Sequence, residues 1–255
     1  MPYKTIEYRE KEHIGVIKFR DDIDITKDFF RLKDEIREIS TIVSVEADLW
    51  VVVLMRIGAL SRLLVSSSEH LDPQAKEEIV SPSLAEFIAA IEKPVIAGIE
   101  DVVMNQCLEL ILSCDIRIAA EKCLFGLSQL EKGTIPMNGG TQRLPRLVGK
   151  GKALEMILTG EMIDVQEAHR IGLINRVVPK HELEKTVMDI AEEMASKSPI
   201  ALRYAKEAIN AGLDLTLEQG LHLEADLYML LHTTSDRTEG IQAFQKKRKP
   251  QFTGE

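Results

Sequence analysis

The chain has 255 residues and a mass of 28.6 kDa, enough for one large domain or for one domain with a small appendage. Hydrophobic residues make up 45% and charged residues 29%, a composition typical of folded globular proteins and unlike that of disordered chains. The net charge of −9 argues against general binding to nucleic acid or to anionic membranes, and no segment is long and apolar enough to span a bilayer.

The cysteine and histidine content argues against a metal centre. Three cysteines occur, at positions 107, 114 and 123, and they form no CxxC pair. An odd number without such a pair favours neither a disulfide framework nor a thiolate zinc site, and it fits a reducing compartment. No two histidines are three or four residues apart, so no metal ligand pair is predicted. Since the N-terminus is charged and lacks an apolar signal core, we expect a cytoplasmic protein, or one of an organelle matrix after loss of a presequence.

The N-terminal part of the chain begins with two predicted strands. Alternating apolar residues indicate strands around Ile6–Tyr8 and His13–Phe19. Apolar residues at helical spacing then predict a helix over Lys27–Ile39. The continuous apolar run Leu49–Met55 is typical of a strand buried on both faces. Residues 56–82 contain serines, prolines and scattered charges, and they are interpreted as loop with a short helix.

The next segment repeats the alternation of helix and strand. A helix is predicted over Ser83–Ile91 and a buried strand over Val95–Ile99. After Asp101 an apolar helix runs to about Ser113, and a strand follows at Ile116–Ala119. This order indicates the α/β class, with parallel strands joined by right-handed crossovers.

Helical patterns dominate from Gly139 onward. Two segments place apolar residues on one helical face: Leu183, Val187, Ile190 and Met194 in the first, and Leu217, Leu221, Ala225, Tyr228 and Leu231 in the second.

Two helix starts can be predicted in the C-terminal region. Pro199 suits the first position of a helix, and Asp236 is expected to cap the last helix with Glu239 as its capping-box partner. Because no glycine- or proline-rich linker interrupts the chain, we expect one unit, with a β/α core over residues 1–195 and a helical region over 196–255.

General nucleotide and hydrolase signatures are absent from the sequence. No GxGxxG or GxSxG motif occurs. The segment Gly149–Lys152 lacks both the upstream glycine and the hydroxyl residue of a phosphate loop, so it is not interpreted as one.

A family resemblance begins at Ile91, where the chain reads IEKPVIAGIEDVVMNQCLELILSCDIRIAAEKCLFGLSQLEKGTIPMNGGTQRLPRLVG. Further matching segments are ALEMILTGEMIDVQEAHRIGLINRVVP at 153–179 and DRTEGIQAFQKKRKPQFTG at 236–254. These segments resemble the crotonase (enoyl-CoA hydratase/isomerase) family. The resemblance is nearly continuous from about residue 92 to the end and weak over residues 1–91.

The resemblance implies a fold, a ligand and an assembly. Members of the family have a spiral core of ββα units and a helical C-terminal region that builds trimers, often paired into hexamers. Their substrates are acyl-CoA thioesters, so coenzyme A enters as part of the substrate and no separate cofactor or metal is implied. Two backbone N–H groups hold the thioester oxygen as it gains enolate charge, and one of them lies at a helix N-terminus, where free N–H groups favour an anion.

The two oxyanion donors can be carried over by position. The family's glycine-rich turn falls on residues 105–107, which makes Gln106 the first N–H donor. The loop that supplies the second donor falls on residues 63–66, with Val65 as the donor. Both segments have lost the small residues that let a ligand approach the backbone closely.

The two glutamates with which hydratases of the family hold a water molecule fall on Glu109 and Gln129. Glutamine cannot exchange a proton near neutral pH, so a single acid/base group remains. The glycine that helps to position the water falls on Met137. At the C-terminus, Phe244 and Lys247 match residues that meet the adenosine-phosphate end of coenzyme A, within the basic cluster Lys246–Lys249.

Several functions remain open. The first is an acyl-CoA hydratase or isomerase acting through an enolate, with Glu109 moving the proton. The second is a catalytically impaired crotonase-fold protein that binds acyl-CoA or serves as a partner subunit. Other reactions of the family, such as thioester hydrolysis or decarboxylation, form a third. Cys107, beside the predicted oxyanion turn, is interpreted as a small buried side chain, because the sequence places no base next to it.

Overall fold

The computed structural model describes residues 3–22, 25–61 and 83–255, except for the side chains of residues 25–27. The strands are β1 (Ile6–Lys11), β2 (Ile14–Phe19), β3 (Val51–Met55), β4 (Val95–Ile99), β5 (Val103–Met104), β6 (Ile116–Ala120), β7 (Leu124–Gly126), β8 (Ile163–Asp164) and β9 (Arg176–Val178). The helices are α1 (Ile25–Val45), α2 (Leu84–Ala89), α3 (Gln106–Leu112), α4 (Gly140–Val148), α5 (Lys150–Thr159), α6 (Val165–Arg170), α7 (Leu183–Ala195), α8 (Pro199–Gly212), α9 (Leu217–Leu231) and α10 (Ser235–Gln245). Short 3₁₀ turns lie at Gln129–Lys132 and Lys180–Glu182.

The main sheet has the strand order β1-β2-β3-β4-β6-β9. The first two strands form an antiparallel hairpin, and every later pairing in this sheet is parallel. Strands β3 and β4 are buried along their whole length, as expected for apolar runs covered on both faces. The predicted strands and the α/β class are therefore confirmed. A smaller sheet, in the order β5-β7-β8, lies beside the helix that carries Glu109.

The predicted helices are present, with different ends in three cases. The helix expected directly after Asp101 begins at Gln106 as α3, because strand β5 comes first. Helix α1 extends beyond the predicted Lys27–Ile39 at both ends. Helix α2 begins after Ser83, whose hydroxyl accepts the Glu86 N–H and whose own N–H is held by the Glu86 carboxylate. Within the poorly patterned segment, residues 57–61 are helical, whereas Val65 lies outside the described residues. None of the helices in the described ranges is long and apolar enough to cross a membrane.

The predicted cap of the last helix is wrong. Thr234 caps α10, since its hydroxyl accepts the Arg237 N–H at 3.2 Å. Asp236 lies in the first turn, 1% exposed, and accepts the N–H groups of Thr253 and Gly254 from the returning C-terminal tail. The C-terminal tail therefore binds the Asp236 carboxylate, which the sequence pattern had predicted to cap the helix.

The second predicted apolar face does not pack within the chain. Leu217, Leu221 and Tyr228 on α9 are 81%, 54% and 57% exposed, and the buried side chain of this helix is Leu227. The face on α7 behaves as predicted, with Leu183, Val187 and Ile190 buried in the core. Apolar spacing thus predicted both helices correctly, but it did not predict what each face packs against.

The parallel strands point their carboxyl ends toward one edge of the main sheet. Helix α3 follows β4 at this edge through the short strand β5. Ligands of open parallel sheets bind outside the carboxyl ends of the strands. The fold therefore places the first turn of α3 where a ligand site is expected.

Candidate active site

Glu109 is a buried carboxylate near the N-terminus of α3. It is 1% exposed, and its N–H donates to the carbonyl of Asn105 at 3.0 Å, which closes the first turn of the helix. The helix is otherwise apolar on its buried positions, which hold it against the core. A carboxylate buried in this setting requires hydrogen-bond donors around it.

Two backbone N–H groups hold one oxygen of this carboxylate. Asn138 donates to Glu109 Oε1 at 2.7 Å and Gly140 donates to the same atom at 2.9 Å. A Cβ on Gly140 would stand 3.0 Å from Oε1 and 2.7 Å from the Cβ of Pro136, so the close approach requires glycine. The segment before α4 is thereby shaped to receive Glu109.

The other oxygen of Glu109 meets Gln129. The Gln129 Nε2 donates to Glu109 Oε2 at 3.2 Å. The amide oxygen of Gln129 is buried and has no hydrogen-bond partner. An unpaired buried acceptor is costly, and it favours a water molecule or a ligand group that can donate to it. The structure thus brings Glu109 and Gln129 together, while their catalytic role stays a prediction.

The surroundings of Glu109 act on its acidity in opposite directions. Burial raises the pKa of the carboxyl above its ordinary value, because the charged form loses hydration. The N–H groups of Gly140 and Asn138 and the charge of Arg143 lower it, because they stabilise the carboxylate. The first effect is the larger, so the pKa of Glu109 is raised. A raised pKa suits a group that both takes up and returns a proton.

The turn before α3 keeps a glycine-like backbone without glycine. Asn105 has φ of 50° and ψ of −121°. Gln106 is the first residue of the helix, where a backbone N–H has no acceptor within the helix. Gln106 and Asn138 border a cavity of about 10 Å³, closed by Phe29 and Lys33 of α1 and by residues 83–85. That volume is about the size needed for a water molecule.

Other residues singled out from the sequence lie apart from Glu109 or outside the described part. Val65 belongs to the segment 62–82, which is not described. Phe244 is 86% exposed at the end of α10, and Lys247 follows it at the surface. Cys107 is buried, and burial raises the pKa of its thiol, as expected for a packing side chain. The described ranges contain no cluster of three His, Cys, Asp or Glu side chains that could hold a metal ion.

Sequence reasoning missed the residues that hold Glu109. Asn138 and Gly140 act through their backbone N–H groups, and Arg143 Nη1 donates to the carbonyl of Asn138 at 2.9 Å. The guanidinium of Arg143 occupies the space that a Cβ on Gly139 would need, and Gly139 has φ of 103°. The pair Gly139-Gly140 was the available signal, since adjacent glycines before a helix indicate close backbone contacts.

The main parallel sheet, the helical C-terminal region and the buried carboxylate at the start of α3 define a protein of the crotonase class. Comparison with solved structures supports this fold. An enoyl-CoA hydratase from Bacillus anthracis superposes with a TM-score of 0.91 at 38% identity, covering 99% of this chain and 100% of that one. The described residues among the first 91, where the sequence resemblance is weak, therefore share the fold.

The chain belongs to the enoyl-CoA hydratase/isomerase family, whose family model matches residues 66–255. It is 43% identical to the crotonyl-CoA hydratase of Syntrophomonas wolfei over 166 residues, which are 65% of this chain and 64% of that protein. It is 41% identical to the 2,3-dehydroadipyl-CoA hydratase of Escherichia coli over 173 residues, 68% of each chain. Several curated relatives are matched over less than two thirds of their own length, between 56% and 65%.

Proposed function

We propose that this protein acts on acyl-CoA thioesters through an enolate, with Glu109 as its proton-transferring group. The observation that carries the proposal is the position of Glu109: it is buried, oriented by two N–H donors and adjacent to an unpaired amide oxygen. The relatives support the substrate class, since those named above are hydratases of CoA thioesters. Coenzyme A enters as part of the substrate, and the reaction needs no further cofactor.

A single carboxylate favours isomerisation over efficient hydration. In a 3-enoyl thioester, ionised Glu109 would take a proton from C2, and the electron pair would move to the thioester oxygen to form a dienolate. Return of the same proton to C4 would shift the double bond from C3–C4 to C2–C3. Hydration instead needs one group to activate water and another to protonate carbon. Gln129 cannot supply that second proton, so a slow or specialised hydration is the other reaction that we retain.

The remaining site residues are assigned by the family pattern. The N–H groups of Gln106 and Val65 would hold the thioester oxygen and stabilise its developing charge. Phe244 and Lys247 would contact the adenosine-phosphate end of coenzyme A. Their exposure in the single chain supports a contact across subunits of a homotrimer, or of a dimer of trimers. We place the protein in the cytoplasm, without a nucleic-acid or membrane partner.

The test compares the chain with its Glu109→Gln variant. Purified protein is supplied with a 3-enoyl-CoA, and the appearance of the conjugated thioester is followed by absorbance. We expect Glu109→Gln to lose roughly 10²- to 10⁴-fold in kcat, because the proton carrier is removed while the shape of the site is kept. The rate should rise with pH through the pKa of Glu109, which lies above that of an ordinary glutamate. Isomerase activity that survives the substitution unchanged would remove Glu109 from the reaction.

Gln129 provides the matched substitution. Gln129→Glu restores a second carboxylate opposite Glu109, and we expect crotonyl-CoA hydration to increase relative to isomerisation. Gln129→Met, which keeps the size but neither donates nor accepts strongly, should not increase hydration. Equal hydration by both variants would show that the second carboxylate is not what limits this reaction.

A second candidate function is a crotonase-fold protein that binds acyl-CoA without turning it over, or serves as a partner subunit. The observations that favour it are Gln129 in place of an acid and the turn at Asn105-Gln106 in place of glycines. Calorimetry with a saturated acyl-CoA, combined with assays of both reactions, separates the two functions. Tight binding with no turnover of any tested ester would favour the binding protein.

A further inference from the structure

A closed ring of hydrogen bonds joins the start of α3 to the segment that carries Gln129. The carbonyl of Asn105 accepts the Glu109 N–H at 3.0 Å, and the Asn105 Oδ1 accepts the Ser128 N–H at 2.8 Å. The next residue, Gln129, donates from its Nε2 to Glu109 Oε2 at 3.2 Å. The ring therefore begins and ends at Glu109, and Asn105 supplies two of its bonds.

Asn105 stands in a conformation that most side chains avoid. Its φ of 50° and ψ of −121° are close to those of the first central residue in a type II′ turn, where glycine is favoured and asparagine is tolerated. Glycine would adopt this conformation with less strain. The asparagine side chain adds the bond to the Ser128 N–H, and its Nδ2 also donates to Ser128 Oγ at 3.3 Å.

The ring bears directly on the charge of Glu109. An N–H donor on a carboxylate oxygen favours the ionised form. The donor on Oε2 is the side-chain amide of Gln129, which has several rotatable bonds and stays in place only if its backbone is held. Asn105 holds the preceding residue, Ser128, and the Gln129 amide meets the carboxylate oxygen that Asn138 and Gly140 do not contact.

We propose that Asn105 is a positioning residue that fixes Ser128 and Gln129 against α3, so that the Gln129 amide stays on Glu109 and favours the ionised form of its carboxylate. The proposal rests on the proposed function only in taking Glu109 as the base. Its direct consequence is a change in the proton affinity of Glu109, which can be measured without turnover. Among the described residues, Arg143 of α4 is the charged group that acts on Glu109, and Lys33 of α1 lines the small cavity bordered by Asn138; both are kept in every variant.

The experiment titrates Glu109 by NMR in full-length protein labelled with [δ-¹³C]glutamate. The resonance is assigned by its disappearance in Glu109→Gln. We expect Asn105→Gly to raise the pKa of Glu109 by roughly 0.5 to 1 unit, because the Gln129 donor is loosened. The melting temperature should change little, because relief of the backbone strain at this turn offsets the loss of the bonds to Ser128. An unchanged pKa of Glu109 in Asn105→Gly overturns the proposal.

A double-mutant cycle shows whether Asn105 acts through Gln129. Gln129→Met should raise the pKa of Glu109, and adding Asn105→Gly to it should produce little further change. A full additional shift in the double variant would contradict the proposal. The matched control is Asn175→Ala, which removes a bond of the same kind, from Arg117 N–H to Asn175 Oδ1 at 2.9 Å, at the start of β6. It should lower stability without moving the pKa of Glu109.

Kinetics then separate this inference from the proposed function. If the protein isomerises a 3-enoyl-CoA, Asn105→Gly should lower kcat at pH values near and below the pKa of Glu109. The acid limb of the pH profile should shift upward by the same amount as the NMR titration, with little change in KM. If no variant turns over any ester but the NMR shifts follow the cycle, Asn105 is confirmed as a positioning residue and the proposed reaction fails. A lower kcat with an unmoved acid limb would count against the positioning role.

Discussion

At the scale of single residues, the site depends on backbone groups that hold one side chain. Glu109 can be identified from its place in a family pattern, but its acidity is set by burial and by the N–H groups of Asn138 and Gly140. These two residues bind Glu109 through backbone N–H groups, so their side chains do not indicate that they do so. The spacing of residues along α3 could not have predicted them, since they lie about thirty positions away in sequence.

The space at Gly140 gives a prediction at this scale. Gly140→Ala would place a methyl group against Pro136 and the carboxylate of Glu109. We expect the free energy of unfolding to fall by roughly 1–3 kcal/mol and the kcat of the proposed isomerisation to fall by about tenfold or more, because Glu109 is displaced. Denaturant titration and the enoyl-CoA assay measure the two effects.

Gly151 in α5 is the matched control for that substitution. A Cβ at Gly151 would meet no atom within 4 Å. Gly151→Ala should therefore leave activity unchanged and raise the free energy of unfolding by about 0.5–1 kcal/mol through helix propensity. Equal losses of kcat and of stability in Gly140→Ala and Gly151→Ala would mean that the contact with Glu109 does not cause the effects of Gly140→Ala.

At the scale of elements, helix ends depend on groups from distant parts of the chain. Helix α1 has no basic residue in its last turn. Its final carbonyl groups are instead met by Lys93, which is 6% exposed and donates from Nζ to the carbonyl of Val43 at 2.6 Å and to that of Glu46. Burial and the nearby Arg203 lower the pKa of this lysine. The contact at the end of α1 is therefore made by a lysine whose charged form is disfavoured by its surroundings.

Removing that contact should weaken the end of α1. We expect Lys93→Met to lower the free energy of unfolding by roughly 1–3 kcal/mol, because buried carbonyl groups lose their donor while the aliphatic volume is kept. Urea unfolding followed by circular dichroism measures the change. Lys185→Met is the control, since the Lys185 side chain is 79% exposed in a surface ion pair with Asp189, and its loss should change stability by less than about 1 kcal/mol. If Lys93→Met loses no more stability than Lys185→Met, the contact with Lys93 does not stabilise the end of α1.

At the scale of the whole molecule, the C-terminal helices leave an apolar surface uncovered. Leu213, at the end of α8, and Leu217 are 69% and 81% exposed, and Leu221, Tyr228 and Met229 of α9 are each more than half exposed. An exposed patch of large apolar residues in a folded chain indicates an interface. The predicted division of the chain at residues 195 and 196 coincides with the turn between α7 and α8, and its meaning as a domain border stays a prediction.

The apolar surface of α9 predicts self-association. Sedimentation velocity should show a particle of three or six times the chain mass of 28.6 kDa. Combined Leu221→Lys and Tyr228→Lys should shift the protein toward the monomer, because charges would be buried without partners at the interface. Val45→Lys, at an exposed apolar residue on α1, should not change the mass. A wild-type monomer at high concentration would contradict the predicted trimer.

The sequence by itself determined the order and class of the elements. The buried runs at β3 and β4 and the apolar spacing of α7 follow from local hydrophobic periodicity. This periodicity can be recognised in the sequence before any tertiary contact is known. The family pattern likewise selected Glu109 and Gln129, which the structure brings within hydrogen-bond distance.

Only the tertiary structure decided the contacts between distant segments. It assigned the cap of α10 to Thr234 because the returning tail engages Asp236, and it left the apolar face of α9 exposed although its spacing matches that of α7. It also showed that Asn105 links α3 to Ser128. In each case the local sequence allowed more than one arrangement. The arrangement that formed depends on which N–H, carbonyl or apolar group from a distant segment lies close enough to make contact in the folded chain.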